Sequence, residues 1–126
     1  MIPNNYSHSS ILSPDKTVAE YGDAAELLLM RGDFFVQAGD YARALECYDR
    51  ALEIQPDCID AWVGIGAAHL KQDRLADAIE NFHKALSVAP GSAKAAIGMA
   101  LVHYENGDLS KAFKMLRLSQ YMDVNP

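Results

Sequence analysis

Residues 59 to 90 read IDAWVGIGAAHLKQDRLADAIENFHKALSVAP, and this stretch decides the fold. Apolar residues recur at helical spacing on both sides of Gln72-Asp73-Arg74, which predicts two helices folded against each other. Trp62, Ile65, His69 and Phe82 bring bulk, while Gly66, Ala78 and Ala85 leave room for close approach of the helices. The pattern is that of a hairpin, and weaker copies of it lie on either side.

Working outward, the same signals recur. Towards the amino terminus, Asp23 with Glu26 three residues on has the form of a capping box and opens a helix over about 24–38 that ends at Gly39. Asp40 caps a helix over 41–54, stopped by Gln55-Pro56. In the central hairpin Asp57 is expected to cap 58–71, and 75–88 returns to Pro90-Gly91. Ser92 then caps 93–105, Asn106-Gly107 turns the chain, and Asp108 caps a helix from 109 to about 122. Before all of these, residues 1–13 are rich in Asn, Ser and Pro without periodicity and are expected to form a flexible tail. Ser13-Pro14 predicts a short helix through Tyr21, broken at Gly22-Asp23. The count is seven helices and no strand.

Aligned, the copies share a period of 34 residues: Gly32, Gly66 and Ala100; Ala44, Ala78 and Ala112; Ala51, Ala85 and Ser119; Pro56 and Pro90. With Trp62, Ile65-Gly66, His69, Ala78, Phe82, Ala85 and Pro90 in the central copy and Leu28, Gly32, Phe35, Ala44, Tyr48, Ala51 and Pro56 in the first, the chain resembles the tetratricopeptide repeat (TPR) family over residues 24–126. The third copy is the weakest, with Ala96, Met99-Ala100, His103, Ala112, Leu116 and Ser119. The resemblance implies an all-α, right-handed superhelical solenoid of three helix-turn-helix hairpins with a short N-terminal helix. Its expected parts are a tail (1–13), a short helix (14–23), and repeats at 24–57, 58–91 and 92–126.

In that family the first helix of each pair lines a concave groove that binds peptides or helices. The resemblance therefore implies a protein-interaction module, an adaptor or assembly scaffold. Its groove would be formed by Leu29, Asp33 and Val36; Val63, Gly64, Ala67, Leu70 and Lys71; and Lys94, Ile97, Leu101 and Tyr104. Family members that hold a C-terminal carboxylate use Lys and Asn in the first repeat and Lys with Arg in the third. Here those places hold Leu29 and Asp33, then Lys94 and Gly98, so such a clamp is not expected. The alternative reading is a small secretion-type chaperone that shields an apolar client segment, because type III secretion chaperones are similar in their acidic repeats and extra N-terminal helix.

Gly64 and Gly98 share one repeat position and cost helix stability, about 1 kcal/mol each relative to alanine. Either they relieve packing against a neighbouring helix or their missing side chains open the groove to a ligand. The alternative is a groove filled from within by Ile11-Leu12, Val18 or Tyr21. At the other end a repeat stack exposes its final helix unless a polar cap follows. Leu116, Leu118, Tyr121 and Met122 are accordingly expected to form a patch for self-association, with Lys111, Lys114 and Arg117 around it to meet an acidic surface such as the first repeat.

Composition narrows the classes of function. The net charge is −6, running from −4 over 24–58 to +1 over 93–126, which argues against a nucleic-acid partner. No apolar run approaches the roughly 20 residues of a membrane span, so no membrane insertion is expected. The first ten residues show no basic region followed by an apolar one, and a cytoplasmic location is expected. Cys47 and Cys58 have no metal or redox spacing. His69 and His103 take the place of packed aromatics, and no carboxylate or thiol is placed beside them to complete a metal site. With no oriented nucleophile or phosphate-cradling loop, the expectation is a non-enzymatic protein without metal or cofactor.

Overall fold

A computed structural model describes residues 17–124, and the side-chain environments of residues 23–121. Its six helices are α1 (Thr17–Gln37), α2 (Tyr41–Ile54), α3 (Ile59–Lys71), α4 (Leu75–Val88), α5 (Ala93–Glu105) and α6 (Leu109–Val124). The described residues contain no strand. The expected tail and the side chains of Ile11, Leu12, Val18, Tyr21 and Met122 lie outside the described part. None of the described helices is long and apolar enough to cross a membrane.

The break expected at Gly22-Asp23 is absent, and α1 runs through it as one helix. A glycine inside a helix costs about 1 kcal/mol, which the burial of Ala25 and Leu28 on the same helix outweighs. The caps at Asp40, Ser92 and Asp108 form as the sequence predicts, accepting from the backbone N–H of Arg43, Ala95 and Lys111 at 3.2, 3.2 and 3.1 Å. The cap expected at Asp57 falls instead on Cys58, whose side chain accepts no capping bond. Its backbone carbonyl receives the N–H groups of Ala61 and Trp62.

The three hairpin turns repeat one geometry at 34-residue intervals. Gly39, Asp73 and Gly107 each take a positive φ, of 79°, 61° and 83°. The residue after each donates its N–H back to the carbonyl of Phe35, His69 or His103 at 2.8 to 2.9 Å, closing the helix end.

Hairpins α1/α2, α3/α4 and α5/α6 stack in order. Each second helix packs against the first helix of the next hairpin, and α1, α3 and α5 lie side by side. The core is divided between the joints. Leu28, Ala44, Tyr48, Ala51, Ala61 and Ile65 close the first joint. Ala78, Phe82, Met99 and Val102 close the second, with Leu70 packed against them.

One ring anchors each joint. Tyr48 and Phe82 are the largest fully buried side chains, each 1% exposed. A Cβ added to Gly32 or Gly64 would meet the Tyr48 ring at 2.6 and 2.5 Å, and one added to Gly66 would meet the Phe82 ring at 2.7 Å. Gly98 faces the same Phe82 ring just as closely. Each aromatic from an outer helix thus lies between glycines of two adjacent inner helices. Burying such a ring is worth about 3–5 kcal/mol when judged by truncation to alanine.

Candidate partner-binding groove

The face built from α1, α3 and the start of α5 holds a cavity of about 500 Å³. Helical spacing places Leu29, Asp33 and Val36 on one stripe of α1, and Val63, Gly64, Ala67 and Lys71 on the matching stripe of α3. These seven residues and Lys94 line one depression. Glu26, Met30, Gln37, Asp60 and Tyr48 complete the lining. Lys94 Nζ lies 3.4 Å from Asp60 Oδ1, an exposed pair that ties α5 to α3 across the rim.

The remaining four positions lie elsewhere. Leu70 is packed into the second joint, because its face of α3 turns towards Phe82 and α5. Ile97, Leu101 and Tyr104 line a separate, almost wholly apolar depression of about 490 Å³ with Leu109, Ala112, Phe113 and Leu116. The corresponding residues one repeat earlier, including Val63, Leu70, Leu75 and Ile79, are partly buried against the core that α5 closes. Among the described residues no helix covers the third hairpin in that way.

The open-groove reading of Gly64 and Gly98 is overturned, since the Tyr48 and Phe82 rings occupy the space their side chains would take. Tyr48 was not expected in the groove at all. Its ring crosses from α2 through the gap between Gly32 and Gly64, and its hydroxyl donates to Asp33 Oδ1 at 2.5 Å. Burial and the neighbouring Asp33 carboxylate both push the phenol well above its ordinary value, so it remains a donor. A signal was present: Tyr48 and Phe82 share a repeat position, and a buried tyrosine hydroxyl needs a partner that a phenylalanine does not. The partner, Asp33, stands where the next repeats carry Ala67 and Leu101.

The residues expected to mediate self-association also separate. Leu116 belongs to the α5/α6 depression. Leu118 and Tyr121 line a different one along α6, with Ser110, Phe113, Lys114 and Arg117. His69 Nδ1 is buried without a hydrogen-bond partner, and among the described residues no group of three or more His, Cys, Asp or Glu side chains is placed to hold a metal ion.

Family models described as tetratricopeptide repeat match residues 15–58, 29–80 and 69–125. No curated protein matches the sequence. Among solved structures, the chain is similar to the second TPR of Spaghetti (RPAP3) bound to an HSP90 peptide, SRMEEVD. The identity is 22% over 79% of this chain and 92% of that one, with a TM-score of 0.70. It is similar to the first TPR domain of human RPAP3, at 18% identity over 82% and 81% of the two chains and a TM-score of 0.75. The type III secretion translocator chaperone SycD of Yersinia enterocolitica shows 19% identity over 82% and 78%, also with a TM-score of 0.75. At these identities the likeness is one of fold.

Proposed function

Because the chain belongs to the tetratricopeptide repeat family, we propose that it is a non-enzymatic adaptor or assembly scaffold that holds a peptide or helical segment of a partner in the α1/α3 groove. The observation that carries this reading is the groove's make-up: an apolar floor of Leu29, Val36, Val63 and Ala67 bounded by charged residues. Apolar floor supplies affinity and a polar rim supplies register. The joints hold the groove open before a partner arrives, so binding does not have to order it. An RPAP3 TPR bound to an HSP90 peptide is an instance of this fold holding a peptide.

The test is affinity purification with mass spectrometry, comparing the wild type with Ala67→Glu. Ala67 is half-exposed on the floor, so a carboxylate there blocks the groove while leaving the joints intact. Specific partners lost with this variant support the reading. An unchanged set of partners refutes it.

A second reading, a secretion-type chaperone, is favoured by the likeness to SycD. It requires one client held stoichiometrically and then released, where a scaffold keeps several proteins together. The oligomeric reading rests on the exposed α5/α6 depression, with Ile97, Leu101, Tyr104, Phe113 and Leu116 between 41% and 64% exposed. A second copy is the occupant, its acidic first hairpin meeting the basic third hairpin. Light scattering across a concentration series should show a mass that rises and then falls with added salt; a constant monomer mass refutes it.

A further inference from the structure

On the groove floor the repeat pairs Leu29 with Val63 and Asp33 with Ala67, and Val36 lies beside them. One carboxylate, Asp33, interrupts them. It is not ion-paired: among the described residues it has no salt-bridge partner, and its hydrogen bond comes from the Tyr48 hydroxyl. The other charges of the lining are Glu26, Asp60, Lys71 and Lys94, of which Lys94 and Asp60 answer each other. What remains near the α1 side of the groove is negative.

Tyr48 also fixes the direction in which Asp33 presents itself. The ring cannot move along the groove, because it is seated between Gly32 and Gly64. Its hydroxyl occupies one lone pair of Oδ1, leaving Oδ2 and the rest of Oδ1 to accept from a ligand. A wholly apolar segment laid over this floor would strip water from that carboxylate and give nothing back, at a cost of the kind borne by any buried charge without a partner. An acidic segment would add repulsion. A cation set among apolar neighbours turns the same carboxylate into a charge-assisted contact.

Resting on the groove's being the partner site, we infer that it selects a segment carrying one lysine or arginine side chain to place on Asp33, with apolar side chains beside it on Val63 and Ala67. The Tyr48 hydroxyl acts as a positioning group for that contact. The groove is thereby a reader of basic-apolar segments.

The probe is a set of short peptides, acetylated and amidated at their ends, with an apolar background and one variable central residue: Lys, Arg, norleucine or Glu. Binding is followed by fluorescence anisotropy with the full chain. The Lys and Arg peptides should bind roughly tenfold tighter than the norleucine peptide, and the Glu peptide weakest. Asp33→Asn should remove the preference by weakening the Lys and Arg peptides and strengthening the norleucine peptide; Tyr48→Phe should reduce it in part. Added salt should weaken the Lys and Arg peptides alone. A free-amine version of the norleucine peptide that matches the Lys peptide would assign the contact to a chain terminus and overturn the side-chain assignment. Equal binding of all four central residues, weakened by Ala67→Glu, overturns the cation and keeps the groove. Binding that ignores both Ala67→Glu and Asp33→Asn, or no binding by any peptide, overturns the groove and the inference with it. Because Asp33 is exposed and Asn has its shape, the variant's fold is checked by thermal melting against the wild type.

Discussion

The Tyr48 hydroxyl reaches Asp33 Oδ1 from the opposite layer of the first hairpin, at 2.5 Å, through a gap left by two glycines. This contact joins the two halves of the account. The ring is core, closing the joint between α1/α2 and α3, and the hydroxyl is part of the groove that the joint holds open. The next repeat keeps the ring as Phe82 and has Ala67 where the carboxylate would be, so hydroxyl and carboxylate are present or absent together.

That pairing predicts a swap. Tyr48→Phe should cost about 1 kcal/mol of stability through the lost hydrogen bond. Phe82→Tyr alone should also destabilise, and adding Ala67→Asp to it should recover part of the loss. Urea denaturation of the wild type, Phe82→Tyr, Ala67→Asp and the double variant measures this as a double-mutant coupling, and additivity of the two second-repeat changes would contradict it.

Glycines at the joints behave opposite to ordinary helix glycines. Gly64→Ala gains about 1 kcal/mol in helix propensity but forces a methyl against the Tyr48 ring, a clash of about 1–3 kcal/mol where the ring has nowhere to go. The expected result is a net loss, relieved when Tyr48→Leu is made as well. A more stable Gly64→Ala protein would show that the ring is not seated as described.

Asp73 holds the left-handed turn position that glycine fills at Gly39 and Gly107. Asp73→Gly should therefore stabilise by about 0.5 kcal/mol, the relief of backbone strain exceeding the added freedom of the unfolded chain. The reverse change at Gly107, to Asp, should destabilise. Thermal melts of both variants test the sign.

Acid titration offers a separate check. Burial first, and then Glu53, hold the Asp49 carboxyl above its ordinary value of 3.8, opposed by His69. A carboxyl raised in the folded state favours folding when protonated, and that contribution is lost as pH rises through the folded value. Asp49→Asn should therefore gain stability over the wild type near neutral pH, with the gain vanishing below the ordinary carboxylate range. A gain that persists unchanged in acid would point to another cause.

Much of the architecture was legible in the chain because a 34-residue period fixes which positions share a role. Five helix starts and the turns at Gly39, Asp73 and Gly107 fall within a residue of expectation. What failed was local punctuation and side-chain depth. Gly22-Asp23 reads as a boundary, yet packing of α1 overrides it. Leu70 and Ala67 sit on the same helix face by spacing, but one turns into the second joint and the other to the groove. Spacing with Ala44 and Ala51 puts the Tyr48 ring on the buried face of its helix, and only the glycines on two other helices reveal that its hydroxyl passes through to the groove. The single surface expected from residues 29 to 104 likewise divides, since Ile97, Leu101 and Tyr104 line a depression with residues of α6.

Site-specific photo-crosslinking tests the central claim most directly. A photoreactive phenylalanine analogue placed at Gln37, an exposed residue of the groove lining, is compared with one at His83 on the exposed outer face. The account predicts a discrete partner adduct from Gln37, absent from His83 and lost when Asp33→Asn is added. Adducts from His83 with none from Gln37 would place the partner on the other face and contradict it.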